Sequence, residues 1–160
     1  MTPEAVPGAP AGTALNPIEM RLGGGLLALN RLVMTFQNKR MPVAGFTMGR
    51  SREGGAWRAT VMLDCPAETA RRYAALLSGL EDVEEIELAD ETVEVALLKV
   101  SGEGWREPAT REGVEAHQEG GTVVASGEPE KVEAWLDSIT DEVEDIVRLG
   151  PVARPGDGGE

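Results

Sequence analysis

Cysteine is almost missing: Cys65 is the only one in 160 residues. That excludes an internal disulfide, and with neither a CxxC pair nor a His/Cys cluster there is no basis for a structural zinc. Histidine is equally scarce, with His117 alone. Aromatic residues make up only 4% of the chain, so any core must be aliphatic. Positive charge is short as well, 15 Lys and Arg against 28 Asp and Glu, a formal net charge of -13. A chain of that sign repels nucleic-acid phosphates and anionic lipid, so neither nucleic acid nor a membrane is an expected partner. No apolar run approaches the roughly 20 residues of a membrane-spanning helix. The N-terminus lacks the basic start and apolar stretch of a secretory signal. The expected compartment is the cytoplasm.

Hydrophobic residues at 41% are enough to bury a core, in one ordinary domain or two small ones. Residues 1–16, rich in Pro, Ala, Gly and Thr without apolar periodicity, read as a flexible arm. Residues 151–160, with Pro151, Pro155 and several glycines, read as a flexible tail. Between them two domains are expected, at 17–90 and 91–150.

Ile18, Met20 and Leu22 alternate like a strand and lead into Gly23-Gly24-Gly25. Leu26, Leu29, Val33 and Phe36 then repeat at helical spacing, with Leu32 and Met34 widening the stripe, until Pro42 stops the helix. Val43 to Met48 and the alternating Trp57, Ala59, Val61, Leu63 read as a hairpin around a glycine-containing turn. Cys65-Pro66-Ala67-Glu68 opens a second helix with buried stripe Ala70, Tyr73, Leu77 and Leu80, and Val83, Ile86 and Leu88 form a further strand. The order is β-α-β-β-α-β.

The remainder repeats this plan in shortened form. Val93, Val95 and Leu97 begin a strand, and Trp105 to Gly113 is polar and holds at best a helical turn. Two short strands flank Gly120-Gly121. Glu128-Pro129-Glu130 opens a helix with stripe Val132, Trp135, Leu136, Ile139 and Val143. Val83-Glu84-Glu85-Ile86 has its counterpart in Val143-Glu144-Asp145-Ile146, so the halves are duplicates. The fold class is therefore α+β: a ferredoxin-like βαββαβ domain followed by a second, abbreviated α+β unit of similar plan. Units of about 65 residues bury little alone, and their open sheet faces and edges invite another copy, so a homodimer or higher oligomer is expected.

No complete set of catalytic groups is apparent. Gly23-Gly24-Gly25 reads first as a tight strand-to-helix turn and second as backbone N–H groups that could meet a small carboxylate; the Lys-Ser/Thr of a phosphate loop is absent. His117 reads as a half-exposed strand residue and Cys65 as a helix-cap residue; neither has a nucleophile-and-base partnership beside it in sequence. The acids Glu81-Asp82, Glu84-Glu85 and Glu87, like Asp141-Glu142 and Glu144-Asp145, read as solvated faces rather than as a metal site. Lys39-Arg40 with Arg50 and Arg52 forms the one basic concentration, either a docking patch or turn solubility. No catalytic residue, metal or cofactor is expected.

The stretch Ala28-Leu29-Asn30-Arg31-Leu32-Val33 through Phe36, Val43 and Phe46-Thr47-Met48-Gly49 resembles the A-L-S-R-V…F…N-I-x-S-L-T-V segment of the small, regulatory subunit of acetolactate synthase. Val93-Glu94-Val95-Ala96-Leu97-Leu98-Lys99-Val100 is similar to that family's R-E-x-x-L-x-K-V, and Asp145 to Gly156 to its V-x-R-S-G-x-x-A-x-x-R-G ending. The resemblance implies an ACT domain that pairs side by side and binds an amino-acid effector at the pairing interface. It implies a subunit that modulates the thiamine-diphosphate-dependent catalytic large subunit and relays valine feedback in branched-chain amino acid synthesis. Its effector residues fall in the loop Gly23, Gly24, Gly25, Leu26, Leu27 and at Pro42 and Val43. There the sequence departs from the pattern: Gly24 and Gly25 replace the Asn-Glu of an N-E-S-G loop, Leu26 and Leu27 its Ser-Gly, and Pro42 replaces a second asparagine. Both side-chain amides are gone. The expectation is a retained docking scaffold with valine sensing lost or altered. A stand-alone ACT-like sensing or interaction protein without a synthase partner is the alternative, and a small enzyme using Cys65 or His117 a third.

Overall fold

The computed structural model describes residues 15–52 and 54–155, which fall into two compact units divided between Asp90 and Glu91. The expected arm lies outside the described residues except for Leu15 and Asn16, which already belong to the first strand.

The first unit runs β1 (Leu15–Leu22), α1 (Gly25–Asn38), β2 (Val43–Arg50), β3 (Trp57–Asp64), α2 (Ala67–Leu77) and β4 (Val83–Leu88). Its strands form an antiparallel sheet in the order β2-β3-β1-β4. Alternation in β1 places Ile18 opposite Val61 and Leu88, and Met20 opposite Ala59 and Ile86. One sheet face is thereby aliphatic, and Ala28, Leu32, Ala70 and Leu77 of the helices close over it. The other face is polar. Glu19 ion-pairs with Arg58, Arg21 lies 3.9 Å from Glu85, and Thr60 and Met62 are buried at its middle.

Helix α1 corrects the sequence reading of its stripe. Ala28 and Leu32 are the buried residues, and Phe36 packs beside them in a T-shaped contact with Phe46, ring centroids 5.6 Å apart. Their spacing is i, i+4, i+8. Leu26, Leu27, Val33 and Met34 are exposed. A helix resting on a sheet buries a stripe on the order of 100° wide, and α1 carries more apolar residues than that stripe accommodates. The surplus forms a second face.

The second unit runs β5 (Thr92–Val100), α3 (Arg106–Glu112), β6 (Glu115–Glu119), β7 (Thr122–Gly127), α4 (Pro129–Ser138), a 3-10 turn (Thr140–Glu142) and β8 (Val143–Ala153). The sheet order is β6-β7-β5-β8, the same plan as the first. Here α3 is a seven-residue helix where at best a turn was expected. Pro108 is its third residue, where the backbone N–H has no intrahelical partner to lose. Trp105 and Ala109 anchor it, and the Trp105 carbonyl accepts the indole N–H of the fully buried Trp135 at 3.0 Å. Strand β8 continues through Pro151 to Ala153, where a tail was expected. It is an edge strand, where a proline without an N–H can be carried; Ala153 pairs with Thr92, and the Arg154 N–H donates to the Glu91 carbonyl.

Since Trp135 joins α4 to α3 in a core built from few large residues, Trp135→Ala is expected to cost about 3–5 kcal/mol. Urea denaturation followed by near-UV circular dichroism measures that loss.

Candidate functional site

The glycine turn between β1 and α1 is pinned from the α2–β4 connection. Gly23 N–H donates to the Asp82 carbonyl at 2.9 Å. Gly24, with φ 87°, precedes the helix in the left-handed region and provides no side-chain cap. The first turn of α1 contains no acid. Its leading N–H groups and the helix dipole therefore attract negative charge.

That charge is supplied from within the chain. Arg31, one helical face along α1, donates through Nε and Nη2 to the two Asp82 carboxylate oxygens at 2.6 and 3.1 Å. The pairing holds the Asp82 carboxyl below the usual carboxylate range and raises the Arg31 guanidinium. Asp82 Oδ1 would lie 3.0 Å from a Cβ built on Gly24, and Glu84 Oε2 2.8 Å from one on Gly23. At Gly24 the left-handed φ favours glycine, whereas at Gly23 the close atom is the movable end of the exposed Glu84 side chain. The Arg31–Asp82 pair and the Glu84 carboxylate thus occupy the place where a small anion would approach.

Of the other expected effector residues, Leu26 and Leu27 adjoin the turn, and Pro42 and Val43 lie elsewhere in the same copy. Leu26 and Leu27 project from the first turn of α1 at 73% and 65% exposure. Pro42 and Val43 sit at the far end of the sheet: Val43 pairs with Leu63 and Leu63 with Asn16, whereas the glycine turn follows Leu22, which pairs with Trp57. Six rungs separate the two ends along β3, about 20 Å at ~3.3 Å per residue. One copy does not bring the loop and the β2 start together.

The basic concentration is likewise split. Lys39 and Arg40 follow α1 at the start of β2, and Arg50 and Arg52 stand at its end. Cys65 is buried just before α2, and burial, reinforced by Asp64, pushes its thiol pKa up, away from thiolate chemistry. His117 is in the other unit, exposed on β6 and hydrogen-bonded to Glu119 at 2.7 Å. The acids of β4 and β8 point outward apart from Ile86 and Ile146 between them, and no metal-type cluster of His, Cys, Asp or Glu occurs among the described residues. No described helix is long and apolar enough to cross a membrane.

The sequence reading missed Asp82 as a neighbour of the glycine turn. It lies 51 residues from Arg31, and no local pattern ties the two together.

Neither a protein-family model nor a curated protein matches this chain. Among solved structures, the small subunit of acetolactate synthase from Thermotoga maritima is similar over 88% of this chain and 96% of that one, with a TM-score of 0.72 and 19% sequence identity. The chain therefore shares the tandem α+β, ACT-like fold of that subunit through both units. An unknown protein from Galdieria sulphuraria aligns over 87% of this chain and 99% of that one at 16% identity, with a TM-score of only 0.37, too low to bear on the fold.

Two outcomes follow from the pinned turn. Gly24→Ala should destabilise the first unit by about 1–2 kcal/mol through its left-handed φ alone, read from the urea midpoint. Asp82 has a folded pKa below its unfolded value near 3.9. Its contribution is complete above that value and is lost as pH falls through the folded pKa. Asp82→Asn should therefore lower the melting temperature at neutral pH and flatten its decline below pH ~4. An unchanged acid limb in a thermal melt series contradicts the assignment.

Proposed function

We propose that this chain is a non-catalytic regulatory subunit that binds and modulates the catalytic subunit of an acetolactate synthase in the cytoplasm, with valine feedback lost or altered. The observation that carries the reading is the shared fold across both units of the Thermotoga maritima small subunit. The ordered sequence motifs from Ala28 to Gly156 support it independently.

Homodimeric pairing through β2 fits the physics of the sheet edges. Strands β4, β6 and β8 carry Glu84, Glu85 and Glu87, Glu115 and Glu119, and Glu144, Asp145 and Pro151, which discourage strand addition. From Val43 to Gly49, β2 has no charge and no proline. Exposed Leu26, Leu27, Val33 and Met34 on α1 provide apolar surface for the same pairing. A two-fold axis at β2 runs the two strands antiparallel, so Pro42 and Val43 of one copy approach the end of the sheet where the partner's glycine turn stands. An effector site shared between copies would be assembled in this way.

In this chain that site is poorly equipped for a free amino acid. Gly24 and Pro42 lack amide side chains, the Arg31–Asp82 pair fills the approach, and Glu84 repels an incoming carboxylate. Leu26 and Leu27 favour contact between copies over contact with a polar ligand.

Affinity capture of the cognate large subunit by the full chain, followed by assay of acetolactate formation with and without valine, tests the reading. The expected result is co-elution and altered turnover with no valine response. Failure to bind any large subunit contradicts it and favours a stand-alone interaction protein. Titration calorimetry showing micromolar valine affinity contradicts the loss of sensing.

A further inference from the structure

The four cations that bracket β2 have no carboxylate partner in their own copy. Lys39 and Arg40 stand before the strand, Arg50 and Arg52 at its other end, and all four are exposed. Arg21, Arg31 and Arg58, the other cations of the sheet and of α1, each reach a carboxylate. None of the four forms an ion pair among the described residues, although the chain carries 28 acids against 15 cations. Arg40 is also the one residue other than glycine with a positive φ among the described residues, at 51°. Arginine is held there at a conformational cost that glycine would avoid.

Within one copy the two pairs of cations lie at opposite ends of an eight-residue strand, about 25 Å apart. Antiparallel pairing of β2 with the same strand of a second copy reunites them. With the two-fold axis at the middle of Val43–Arg50, between Phe46 and Thr47, Val43 of one copy faces Arg50 of the other. Arg52 then falls beside Met41 and Arg40 of the opposite chain. Opposed Cα atoms lie ~5 Å apart, so Lys39 and Arg40 of one copy and Arg50 and Arg52 of the other share a span of roughly 15 Å. Each end of the pair gathers four positive charges. Left alone these clusters oppose the pairing, and negative charge set between them reverses that.

The side chains stand on open surface, where a single small anion stays hydrated and is screened. Carboxylates spaced along a chain meet several of the cations at once, and guanidinium groups take carboxylates two hydrogen bonds at a time. A nucleic acid would carry its phosphates on past the patch, over a molecule with a net charge of -13. We propose that each end of the β2-paired dimer is a composite site for a short acidic segment of a partner protein, built from Lys39 and Arg40 of one copy and Arg50 and Arg52 of the other. The site rests on the β2 pairing proposed above and is independent of which protein the chain regulates.

Fluorescence anisotropy of a labelled hexaglutamate peptide with the full chain tests it, beside sedimentation equilibrium for the dimer. Wild type should bind the peptide, more weakly as salt rises. Lys39→Gln/Arg40→Gln and Arg50→Gln/Arg52→Gln should each bind it about tenfold less tightly or worse, a loss of about 1.4 kcal/mol, and dimerise at least as well as wild type. Mixed one to one and allowed to exchange, the two variants should recover about a quarter of the wild-type sites, because half the dimers are mixed and one end of each holds all four cations. Lys39→Glu/Arg40→Glu should lose the peptide and tighten the dimer, its acids now facing the partner's Arg50 and Arg52. A mixture as weak as its parents overturns the composite site, as does wild-type peptide affinity in either glutamine variant; a dimer that persists in those cases keeps the β2 pairing. A wild-type chain that stays monomeric at millimolar concentration overturns the pairing and the site together.

Discussion

Each unit is a four-stranded sheet with helices on one face only, and the rest of the molecule follows from that constraint. Burying Ile18, Met20, Leu22, Val61 and Leu63 under α1 and α2 consumes one side of the first sheet, and Leu98, Val123, Val132 and Trp135 do the same in the second. Two other surfaces per unit, the back and the outer strands, must be made compatible with water or covered. The chain solves this differently in each half. The first sheet has an ion-paired back and one bare edge, β2; the second has charged edges and a bare aliphatic back. Two units of the same plan thus carry opposite solutions.

The same constraint gives the glycine turn its meaning. It lies at one end of the sheet and the β2 start at the other, so no small ligand touches both within one copy. Whether a ligand binds there is decided by a few groups. Helix α1 offers N–H donors, but Asp82, fixed by Arg31, and Glu84 stand over the glycines. An internal carboxylate held by its own arginine is always present, whereas an effector must arrive against it. Leu26 and Leu27, exposed at the start of the helix, add no polar group to hold such a ligand.

Much of the fold was legible because its signals are local. Period-two alternation in β1 and β3, Cys-Pro and Glu-Pro before α2 and α4, and the repeated Val-acid-acid-Ile strands all act over a few residues. The parts that were not legible depend on tertiary partners. The phase of α1 is set by where Ala28 and Leu32 meet the sheet, not by its leucines. Helix α3 has only Trp105 and Ala109 as anchors, too few to show a period. Strand β8 passes Pro151 because nothing beyond it needs the missing N–H. At the candidate site, the positions Gly23 to Leu27, Pro42 and Val43 could be named from a motif. Their separation in one copy, the approach of Asp82, and the division of Lys39-Arg40 from Arg50 and Arg52 arise only when strands fix which ends are near.

The central claim is that neighbouring copies complete these half-covered sheets. Hydrogen–deuterium exchange of the full chain, resolved by peptide over a concentration series, tests it most directly. The account predicts that exchange slows with concentration in Val43–Gly49 of β2, while β4 and β6 exchange alike throughout. Exchange in β2 that is the same from the most dilute to the most concentrated sample would contradict it.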